Sequence, residues 1–482
     1  MAPRPVSVRL TVVAMRRTER GARGRDHESG LPHAGDGARS RPSILFGATS
    51  SGSFHFLAGF PEYLVEQGWD VQLLSGPGGG STEQFLRPGV TTFELPMLRR
   101  PSPVGDVRSL LGWIRHLRRY RPDVAVLATP KAALLGLLAA KGTGVPARIY
   151  HLYGLRLETT RGAFRALLWL FEWVSARSAT RVLSVSPSLT RAFTAHRLAR
   201  PEKIDMLGSG SSHGVDMAWF SPQQVDESEL ARLRDSLGLT GGRRVVGFVG
   251  RLAPDKGLET LAAAVELLAI RSVDVDVLVV GGVDRAGYDP FDSVTRRPVR
   301  VDVVEDTRPY FRLMDVLCLP TLREGMPNVC LEAAAMGVPV VTTTATGAVD
   351  SILDGRTGIA VPPADPVALA AALESLALDP KLASSLGARG RTWVHENFSR
   401  PRVWAALDTY FQGQLTQGSR EPDHAVGRGP IVRWLHPVLL RALPRHRCDT
   451  RGPPVRSSRH TSPRVGLPGG GLRSGGLPHE DL

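Results

Sequence analysis

Two cationic side chains flank a turn that follows a predicted buried strand. Arg251 and Lys256 stand in the segment Gly250-Arg251-Leu252-Ala253-Pro254-Asp255-Lys256-Gly257, directly after the apolar residues 245–249. An arginine presents a fixed fork of donors, a lysine presents a movable point charge, and both bind phosphate oxygens. Two cations at the carboxyl end of a strand therefore suit a diphosphate, although two solvated turn residues would show the same spacing.

Two glutamates, Glu324 and Glu332, belong to a second segment, which follows the apolar residues 315–320. Between them, Gly325 allows close approach of the main chain to a ligand, and Pro327 suits the first position of a helix whose free N–H groups favour an anion. Carboxylates only accept hydrogen bonds, so the glutamates suit the vicinal hydroxyls of a sugar or ribose. A nucleotide-sugar has both an anionic part and hydroxylated parts, so a ligand of this kind fits these groups.

Each glutamate also has a purely structural interpretation. Glu324 would complement the dipole of the helix start, and Glu332 would face solvent from within the helix. The residues around Glu332 are nearly all apolar, however, and a charge on a buried helix needs a partner. Cys330 in the same helix is expected to be a small packed hydrophobe, because no base stands near it in sequence.

Alternating strand and helix patterns must position these residues. Apolar β-type runs are predicted as strands at 43–49, 70–75, 124–128, 148–152, 181–185, 244–249, 275–280, 316–320 and 338–342, and helices at 54–67, 257–270 and 327–336. The alternation restarts after residues 208–216, which predicts an α/β protein with two doubly wound units in tandem. Ligands of such sheets bind beyond the carboxyl ends of the strands, so two facing units make a cleft.

Polar residues of the first unit also lie where predicted strands end. Ser51, Gly52 and Ser53 form a small-residue loop after the first strand, where a phosphate could approach the backbone. His151 and Tyr153 alternate at the end of a later strand, so their side chains point to the same face, and Arg156 follows them. A histidine on a strand is often only structural, so both interpretations of His151 stay open.

Length, charge and cysteine count narrow the class of protein. The chain has 482 residues and a net charge of +14, divided so that residues 42–210 carry +9 and residues 211–412 carry −6. A net negative half argues against nucleic acid as a partner, whereas one basic half suits an anionic surface. The three cysteines, Cys318, Cys330 and Cys448, have no metal-ligand spacing, which favours a reducing cytoplasmic setting. No apolar run is long enough to span a bilayer.

The segment from Glu324 to Glu332 resembles the E-x7-E element of the retaining glycosyltransferases of family 4, which have the GT-B fold. Gly250-Arg251-Leu252 with Lys256-Gly257 resembles the diphosphate clamp of that family, and the resemblance spans residues 43–411. It implies two Rossmann-like domains that face each other across a cleft. The expected regions are a disordered tail at 1–41, an acceptor-binding domain at 42–210, a donor-binding domain at 211–395, a helix at 396–412 that crosses back to the first domain, and a disordered tail at 413–482.

By this resemblance, Arg251 and Lys256 hold the donor diphosphate, Glu332 the ribose hydroxyls, and Glu324 a hydroxyl of the transferred sugar. The other donor-binding residues that the resemblance implies are Gly52, Gly250, Gly325, Met326 and Pro327. The catalytic set would comprise Arg251, Lys256, Glu324 and His151, and the acceptor side would comprise Ser51, Ser53, His151, Tyr153 and Arg156. Many family members have a histidine directly before the glycine of the acceptor loop, where this chain has Tyr153, so either His151 or Tyr153 is the polar group near the reacting carbon.

No cofactor or metal is expected beside the nucleoside diphosphate sugar. Asp274 and Asp276 have the D-x-D spacing of metal-dependent transferases, but they open a predicted core strand at the end away from the cleft, so we assign them a structural role. Residues 129–132, 150–160 and 208–216 further resemble the subset of family 4 that builds capsule and O-antigen polysaccharides. That resemblance implies a donor linked to UDP and an acceptor linked to polyprenyl diphosphate.

A membrane surface is the second expected partner. Residues 161–174 combine aromatic and aliphatic side chains with arginines, a composition suited to an amphipathic helix in a bilayer interface, although an ordinary core helix has a similar composition. A further basic cluster comprises Arg115, Arg118, Arg119 and Arg121. These features predict a peripheral location at the inner face of the cell membrane.

Three other functions remain open at this point. A catalytically inactive protein that binds nucleotide-sugar or membrane would keep the fold. It would tolerate two departures from the family pattern: Tyr153, and Val301-Asp302-Val303 where the family has a glycine before the donor-base loop. A dinucleotide oxidoreductase is disfavoured, because no G-x-G-x-x-G follows the first strand of either unit. A pure membrane-docking module would not need Glu324 and Glu332.

Overall fold

The computed structural model describes residues 41–57, 59–77, 85–98, 100, 102–239 and 242–418. The predicted tails lie outside the described residues, except for Arg41 and for residues 413–418, which continue the last helix. Two sheets of parallel strands, each with helices between its strands, confirm the α/β class and the predicted pair of doubly wound units.

The first sheet contains seven strands in the order β3-β2-β1-β4-β5-β6-β7. They are β1 (Ser43–Ala48), β2 (Asp70–Ser75), β3 (Val90–Glu94), β4 (Val124–Leu127), β5 (Ala147–Leu152), β6 (Arg181–Ser184) and β7 (Ile204–Met206). Every residue of β1 is buried, because helices cover both faces of a parallel sheet. The strand order reverses between β1 and β4, and this reversal marks the ligand-binding edge of such a sheet.

The helices of the first half connect these strands. They are α1 (Phe60–Glu66), α2 (Pro103–Tyr120), α3 (Pro130–Thr143), α4 (Gly162–Ser178) and α5 (Pro187–Ala195). The single helix predicted at 54–67 is wrong, since a 3-10 helix at Ser51–Leu57 precedes α1. Gly59 has a φ of 83° and Pro61 lacks an N–H donor, so a continuous helix cannot pass through them.

The second sheet contains six strands in the order β10-β9-β8-β11-β12-β13. They are β8 (Arg244–Val249), β9 (Val275–Val280), β10 (Val299–Val301), β11 (Val316–Leu319), β12 (Val340–Thr343) and β13 (Gly358–Val361). Its helices are α6 (Glu227–Ser236), α7 (Leu258–Ile270), α8 (Arg308–Leu313), α9 (Asn328–Ala335), α10 (Pro366–Leu378) and α11 (Pro380–Phe398). Here the order reverses between β8 and β11, so Lys256 and Glu324 both follow strands at the reversal.

The last helix, α12 (Arg400–Gly418), packs against the first half of the chain. The ring of Phe411 lies 6.1 Å from that of Phe46, and Trp404 lies 5.7 Å from Phe60. The indole N–H of Trp69 donates to Asp408 at 2.7 Å. The helix begins at Arg400 rather than 396 because α11 continues to Phe398, and it extends past the boundary expected at 412.

The two halves share a buried core where their sheets approach each other. Met326, Leu331 and Phe398 of the second half pack in the same cluster as Leu152 and Val185 of the first. Loops at the carboxyl ends of both sheets are therefore held against each other. Among the described residues, no helix combines the length and the apolar character needed to cross a bilayer.

Candidate active site

Lys256 and Glu324 form an ion pair at the carboxyl edge of the second sheet. Nζ of Lys256 donates to Oε1 of Glu324 at 2.5 Å, and the two side chains are only 17 % and 14 % exposed. Lys256 ends a 3-10 helix after β8, whereas Glu324 lies in the loop between β11 and α9. The structure therefore brings together the residue predicted to hold the diphosphate and the residue predicted to hold the sugar.

Backbone hydrogen bonds fix the two loops that carry this pair. The N–H of Leu322 donates to the carbonyl of Asp255 at 2.9 Å, and the hydroxyl of Thr321 donates to the same carbonyl at 3.0 Å. Gly257 has a φ of 67°, and a Cβ atom there would overlap the carbonyl oxygen of Pro320. A glycine is thus required for the turn to pass so close to the end of β11.

Arg251 lies at the same edge but has a different partner. Its guanidinium pairs with Asp284 at 2.7 Å, and the two side chains are 57 % and 53 % exposed. Gly250 has a φ of 148°, and its carbonyl oxygen would collide with a Cβ at Gly281, so the chain segments after β8 and β9 approach closely. An exposed pair of this kind contributes little stability, so Arg251 can exchange Asp284 for a ligand.

The loop after Glu324 is enclosed by backbone from both halves. A Cβ atom at Gly325 would overlap the carbonyl oxygen of Tyr153, and one at Gly347 would overlap the carbonyls of Glu324 and Gly325. Because Gly325 has no side chain, the main chain of the first half can approach it closely at Tyr153. Met326 is buried, and Pro327 occupies the N-cap, one position before the first residue of α9.

Glu332 lies on α9, eight positions after Glu324. Burial raises the pKa of its carboxyl from 4.5 to about 7, and the positive charge of Arg400 opposes that rise. Arg400 also pairs with Asp216 at 3.1 Å. A charged Glu332 on this apolar helix needs a partner of opposite charge, and Arg400 at the start of α12 supplies it.

His151 and Tyr153 face the same side of the first sheet, as their alternation predicts. Their ring centroids lie 4.5 Å apart. His151 is buried, and its Nε2 has no hydrogen-bond partner among the described residues. Burial lowers the pKa of His151 from 6.5 to about 3, with a further contribution from His213, so the imidazole is neutral at physiological pH. Burial also raises the pKa of the Tyr153 hydroxyl.

His213 is a site residue that sequence reasoning missed. Its Nε2 lies 3.0 Å from Nδ2 of Asn328, the first residue of α9, and its Nδ1 lies 2.7 Å from the hydroxyl of Ser212. Burial and the nearby Arg400 lower the pKa of His213 to about 4. The available signal was a single imidazole inside a Gly/Ser-rich connection, because a titratable ring there is unusual in a segment of otherwise small residues.

Ser51, Gly52 and Ser53 form the start of a 3-10 helix at the end of β1. The N–H of Ser51 donates to the carbonyl of Gly76 at 3.3 Å, and that of Ser53 donates to Ser50 at 3.0 Å. The topology places this loop at the ligand-binding edge of the first sheet. The N–H groups of Ser51 and Ser53 already donate to backbone carbonyls, so these two groups do not point freely at a phosphate.

A turn of the first half, Arg156–Thr159, contacts the Glu324 loop of the second. Nε of Arg323 donates to Thr159 at 2.9 Å, and the hydroxyl of Thr346 donates to Glu158 at 2.8 Å. Arg156 itself is exposed, with its guanidinium 5.9 Å from the ring centre of Phe164. The predicted acceptor-side turn is therefore packed beside the predicted catalytic loop.

The D-x-D pair lies far from this edge in the fold. Asp276 is the second residue of β9, at the end opposite to the strand's carboxyl end, and it pairs with Arg243 at 3.1 Å and Arg296 at 2.8 Å. Asp274 also pairs with Arg296, at 2.8 Å. These ion pairs give both carboxylates a structural role.

Comparisons with known proteins match both halves of the chain. The family model described as "Glycosyl transferases group 1" matches residues 243–379, and the "Glycosyl transferase 4-like domain" matches residues 55–210. A capsular polysaccharide biosynthesis glycosyltransferase of Staphylococcus aureus, CapM, is 33 % identical over 77 % of this chain and 96 % of its own length.

A second curated relative is an Escherichia coli enzyme named UDP-Gal:alpha-D-GlcNAc-diphosphoundecaprenol alpha-1,3-galactosyltransferase. It is 25 % identical over 59 % of this chain and 74 % of its own length. Among solved structures, Anabaena HepE in complex with UDP and glucose has a TM-score of 0.62 at 18 % identity, covering 77 % of this chain and 99 % of that one. That structural likeness concerns the fold.

Proposed function

The chain belongs to the group 1 glycosyltransferases, and from that premise we propose that it is a retaining, metal-independent transferase that uses a UDP-linked sugar. It is a glycosyltransferase of polysaccharide biosynthesis. The proposed reaction moves a hexose or an N-acetylhexosamine to a lipid-linked or glycan acceptor. The Lys256–Glu324 pair, at the strand reversal and beside the acceptor turn of the other half, carries this proposal.

The donor sugar would insert between the two members of the pair. Lys256 would turn from the carboxylate to the diphosphate, and Glu324 would accept a hydrogen bond from a sugar hydroxyl. In the reaction, the bond between the anomeric carbon and the diphosphate oxygen breaks while the acceptor oxygen bonds to the same face of that carbon. The acceptor proton passes to the leaving phosphate, so both charge and atoms balance.

Negative charge grows on the leaving diphosphate, and fixed cations near it lower the barrier. Lys256 and Arg251 are the proposed cations, with Arg251 released from its exposed partner Asp284. Because two side-chain cations supply this charge, the proposed reaction has no metal step. Gly52, Gly250, Gly325, Met326 and Pro327 are proposed to line the donor through their main chain.

Glu332 is proposed to accept hydrogen bonds from the two ribose hydroxyls. His151 is proposed as the polar group beside the reacting carbon, because its neutral ring carries a buried Nε2 without a partner among the described residues. Such a group can bond a sugar hydroxyl without adding a charge that would oppose the developing cationic character of the sugar. Tyr153 packs on this ring, and Ser51, Ser53 and Arg156 are proposed to border the acceptor.

The proposed acceptor is a sugar linked to polyprenyl diphosphate at the inner face of the cell membrane. The Escherichia coli relative is named for such an acceptor, diphosphoundecaprenol-linked GlcNAc. The net charge of +9 on residues 42–210 supports an anionic membrane surface as the second partner.

A transfer assay with the purified full chain tests this function. UDP-glucose, UDP-galactose, UDP-GlcNAc, UDP-GalNAc and GDP-mannose are each offered with a polyprenyl-diphosphate-linked GlcNAc in detergent, with and without EDTA. We expect an α-linked product from one UDP-sugar, unaffected by EDTA. An inverted product, a strict metal requirement, or binding of donors without any transfer would each overturn the corresponding part of the proposal.

A further inference from the structure

The outer surface of helices α2, α3 and α4 carries an exposed apolar face. α3 lies between α2 and α4 and contacts both. Of the fifteen large hydrophobic side chains that are exposed in the described chain, seven lie on these three helices. Between 37 % and 67 % of each is accessible, and they are Val104, Val107, Leu111, Leu138, Phe164, Leu167 and Leu170.

These side chains are separate from those that hold the helices to the sheet. On α2, Val104, Val107 and Leu111 follow helical spacing on one side, whereas Trp113 and Leu117 are fully buried on the other. On α4, the residues from Arg161 to Leu167 are all exposed, and burial begins at Leu168. The core interpretation of residues 161–174 therefore holds only for the second half of α4.

The charges of the three helices are almost entirely positive. They carry eight Arg and Lys residues but only two acids. Asp106 pairs with Lys131 at 2.7 Å, and Glu172 is buried with its carboxylate bonded to the hydroxyl of Tyr150 at 2.5 Å. Both acids are engaged, so the charge presented outward is cationic, from Arg108, Arg115, Arg118, Arg119, Lys141, Arg165 and Arg177.

We propose that this three-helix face, formed by the exposed residues of α2, α3 and α4, docks on an anionic lipid bilayer. Exposed apolar side chains in the first halves of α2 and α4, with Arg108, Arg115 and Arg165 exposed on the same helices, match the acyl boundary and the phosphate headgroups of such a surface. A protein partner with an apolar patch would not require this excess of exposed positive charge. This inference rests on the proposed lipid-linked acceptor. It assigns the membrane contact to particular residues, including Val104, Val107 and Leu111 of α2.

The face leads directly to the candidate active site. Phe164 begins the α4 stripe and lies under the guanidinium of Arg156, whose turn bonds to Arg323 through Thr159. All three helices start at the carboxyl edge of the first sheet, because each follows a strand or loop at that edge and returns antiparallel. Docking through the starts of α2 and α4 thus presents the cleft to a diphosphate held at the bilayer surface.

Co-sedimentation of the full chain with lipid vesicles tests this proposal. We expect binding to vesicles of phosphatidylcholine with phosphatidylglycerol, weakening with salt, and little binding to phosphatidylcholine alone. Val104→Glu/Val107→Glu/Leu111→Glu, and separately Arg108→Glu/Arg115→Glu, should each weaken binding by at least about tenfold. Far-UV circular dichroism and thermal unfolding verify that the variants fold.

Matched changes on the second half serve as controls. Ile270→Glu/Val367→Glu/Leu378→Glu replaces three equally exposed apolar residues of α7 and α10, and Arg232→Glu/Arg356→Glu reverses two exposed arginines. Both controls should bind vesicles as the parent does. Equal loss in the controls, or undiminished binding in the α2 variants, would overturn the assignment.

Two further measurements separate this proposal from the proposed function. Transfer to a short-chain acceptor in solution should be the same for the α2 variants and the parent, so a failure of transfer in every protein would count against the function and not against the face. If the α2 variants instead abolish a concentration-dependent dimer and vesicles never bind, then the face belongs to a second copy of the chain and the lipid assignment is wrong.

Discussion

Nζ of Lys256 lies 2.5 Å from Oε1 of Glu324, so the side chain predicted to hold the diphosphate and the side chain predicted to hold the sugar pair with each other. Both are largely buried, and neither charge could be left alone there without a large desolvation cost. Donor binding must therefore exchange one ion pair for two new contacts, one to a phosphate and one to a hydroxyl.

Replacement of Lys256 tests this exchange. Lys256→Ala should reduce kcat by about 100- to 1,000-fold, the effect of removing one preorganised donor from a charge-developing step. It also leaves Glu324 without its partner, so Lys256→Ala/Glu324→Gln should unfold at a higher temperature than Lys256→Ala alone. Initial transfer rates and thermal unfolding measure the two effects. Lys381→Ala, at an exposed lysine of α11, is the control, and a parent-like rate for Lys256→Ala would remove Lys256 from the mechanism.

The central strands could be predicted because they are continuous apolar runs rich in Val, Ile and Leu. Strands β3, β7, β10 and β13 were not predicted, since they are short and only partly buried and so lack such a run. The alternation of strands and helices predicted two doubly wound units, and a sheet of that kind reverses its strand order once. The sequence therefore predicted the edges at which the site residues meet.

Contacts within the site could not be predicted in the same way. Lys256 and Glu324 meet because the backbone of Leu322 bonds to Asp255, a loop contact that no periodic pattern encodes. Likewise, Gly325 was predicted to approach a ligand, and its close neighbour is the carbonyl of Tyr153 from the other half. Such distances depend on how the two halves pack, which residue types do not determine.

Gly325→Ala should impair transfer through that contact. The added methyl would overlap the Tyr153 carbonyl, so the halves must separate and the acceptor turn must move from the Glu324 loop. We expect kcat to fall by at least about tenfold, because small misplacements of reacting groups have large effects on rate. Gly413→Ala on α12, where a methyl meets no atom within 4 Å, should retain the parent rate. Equal rates for both variants would contradict a role for this close approach.

Donor affinity should depend on the ionisation of Glu332. Its pKa of about 7 means that the carboxyl is protonated below that pH, so affinity for a UDP-sugar should rise as the pH increases through 7 if the ionised form accepts the ribose hydroxyls. Glu332→Gln should bind more weakly at pH 8 and show no such rise. Calorimetric titration with an intact UDP-sugar measures this, since the terminal phosphate of UDP itself titrates near about pH 6. An unchanged pH profile in the variant would refute the ribose role.

His151 and Tyr153 can be separated by paired substitutions. We expect His151→Ala to lower kcat by about 10- to 100-fold and Tyr153→Phe to have a smaller effect, because the unpartnered buried atom belongs to the histidine. The imidazole is already neutral above its pKa of about 3, so the rate of the parent should show no change from His151 between pH 5 and 8. The opposite ranking of the two variants would assign the role to Tyr153.

The buried carboxyl of Glu172 should make the stability of the first half depend on pH. Burial raises its pKa from 4.5 to about 7, and the hydrogen bond from Tyr150 limits that rise. A group with a raised folded-state pKa binds more protons when folded, so its stabilising effect is complete below pH 4.5 and is lost as the pH rises through 7. The shift corresponds to a loss of at most about 3 kcal/mol.

Glu172→Gln keeps an acceptor for Tyr150 and cannot ionise, so its melting temperature should fall less than that of the parent between pH 5 and pH 8. Because Glu172 lies on α4 beneath the three-helix face and not at the Lys256–Glu324 pair, the variant's transfer rate at pH 7 should be nearly that of the parent. If the melting temperatures of parent and variant instead change equally between pH 5 and pH 8, then the Glu172 carboxyl is ionised in the folded protein throughout this range and the prediction is wrong.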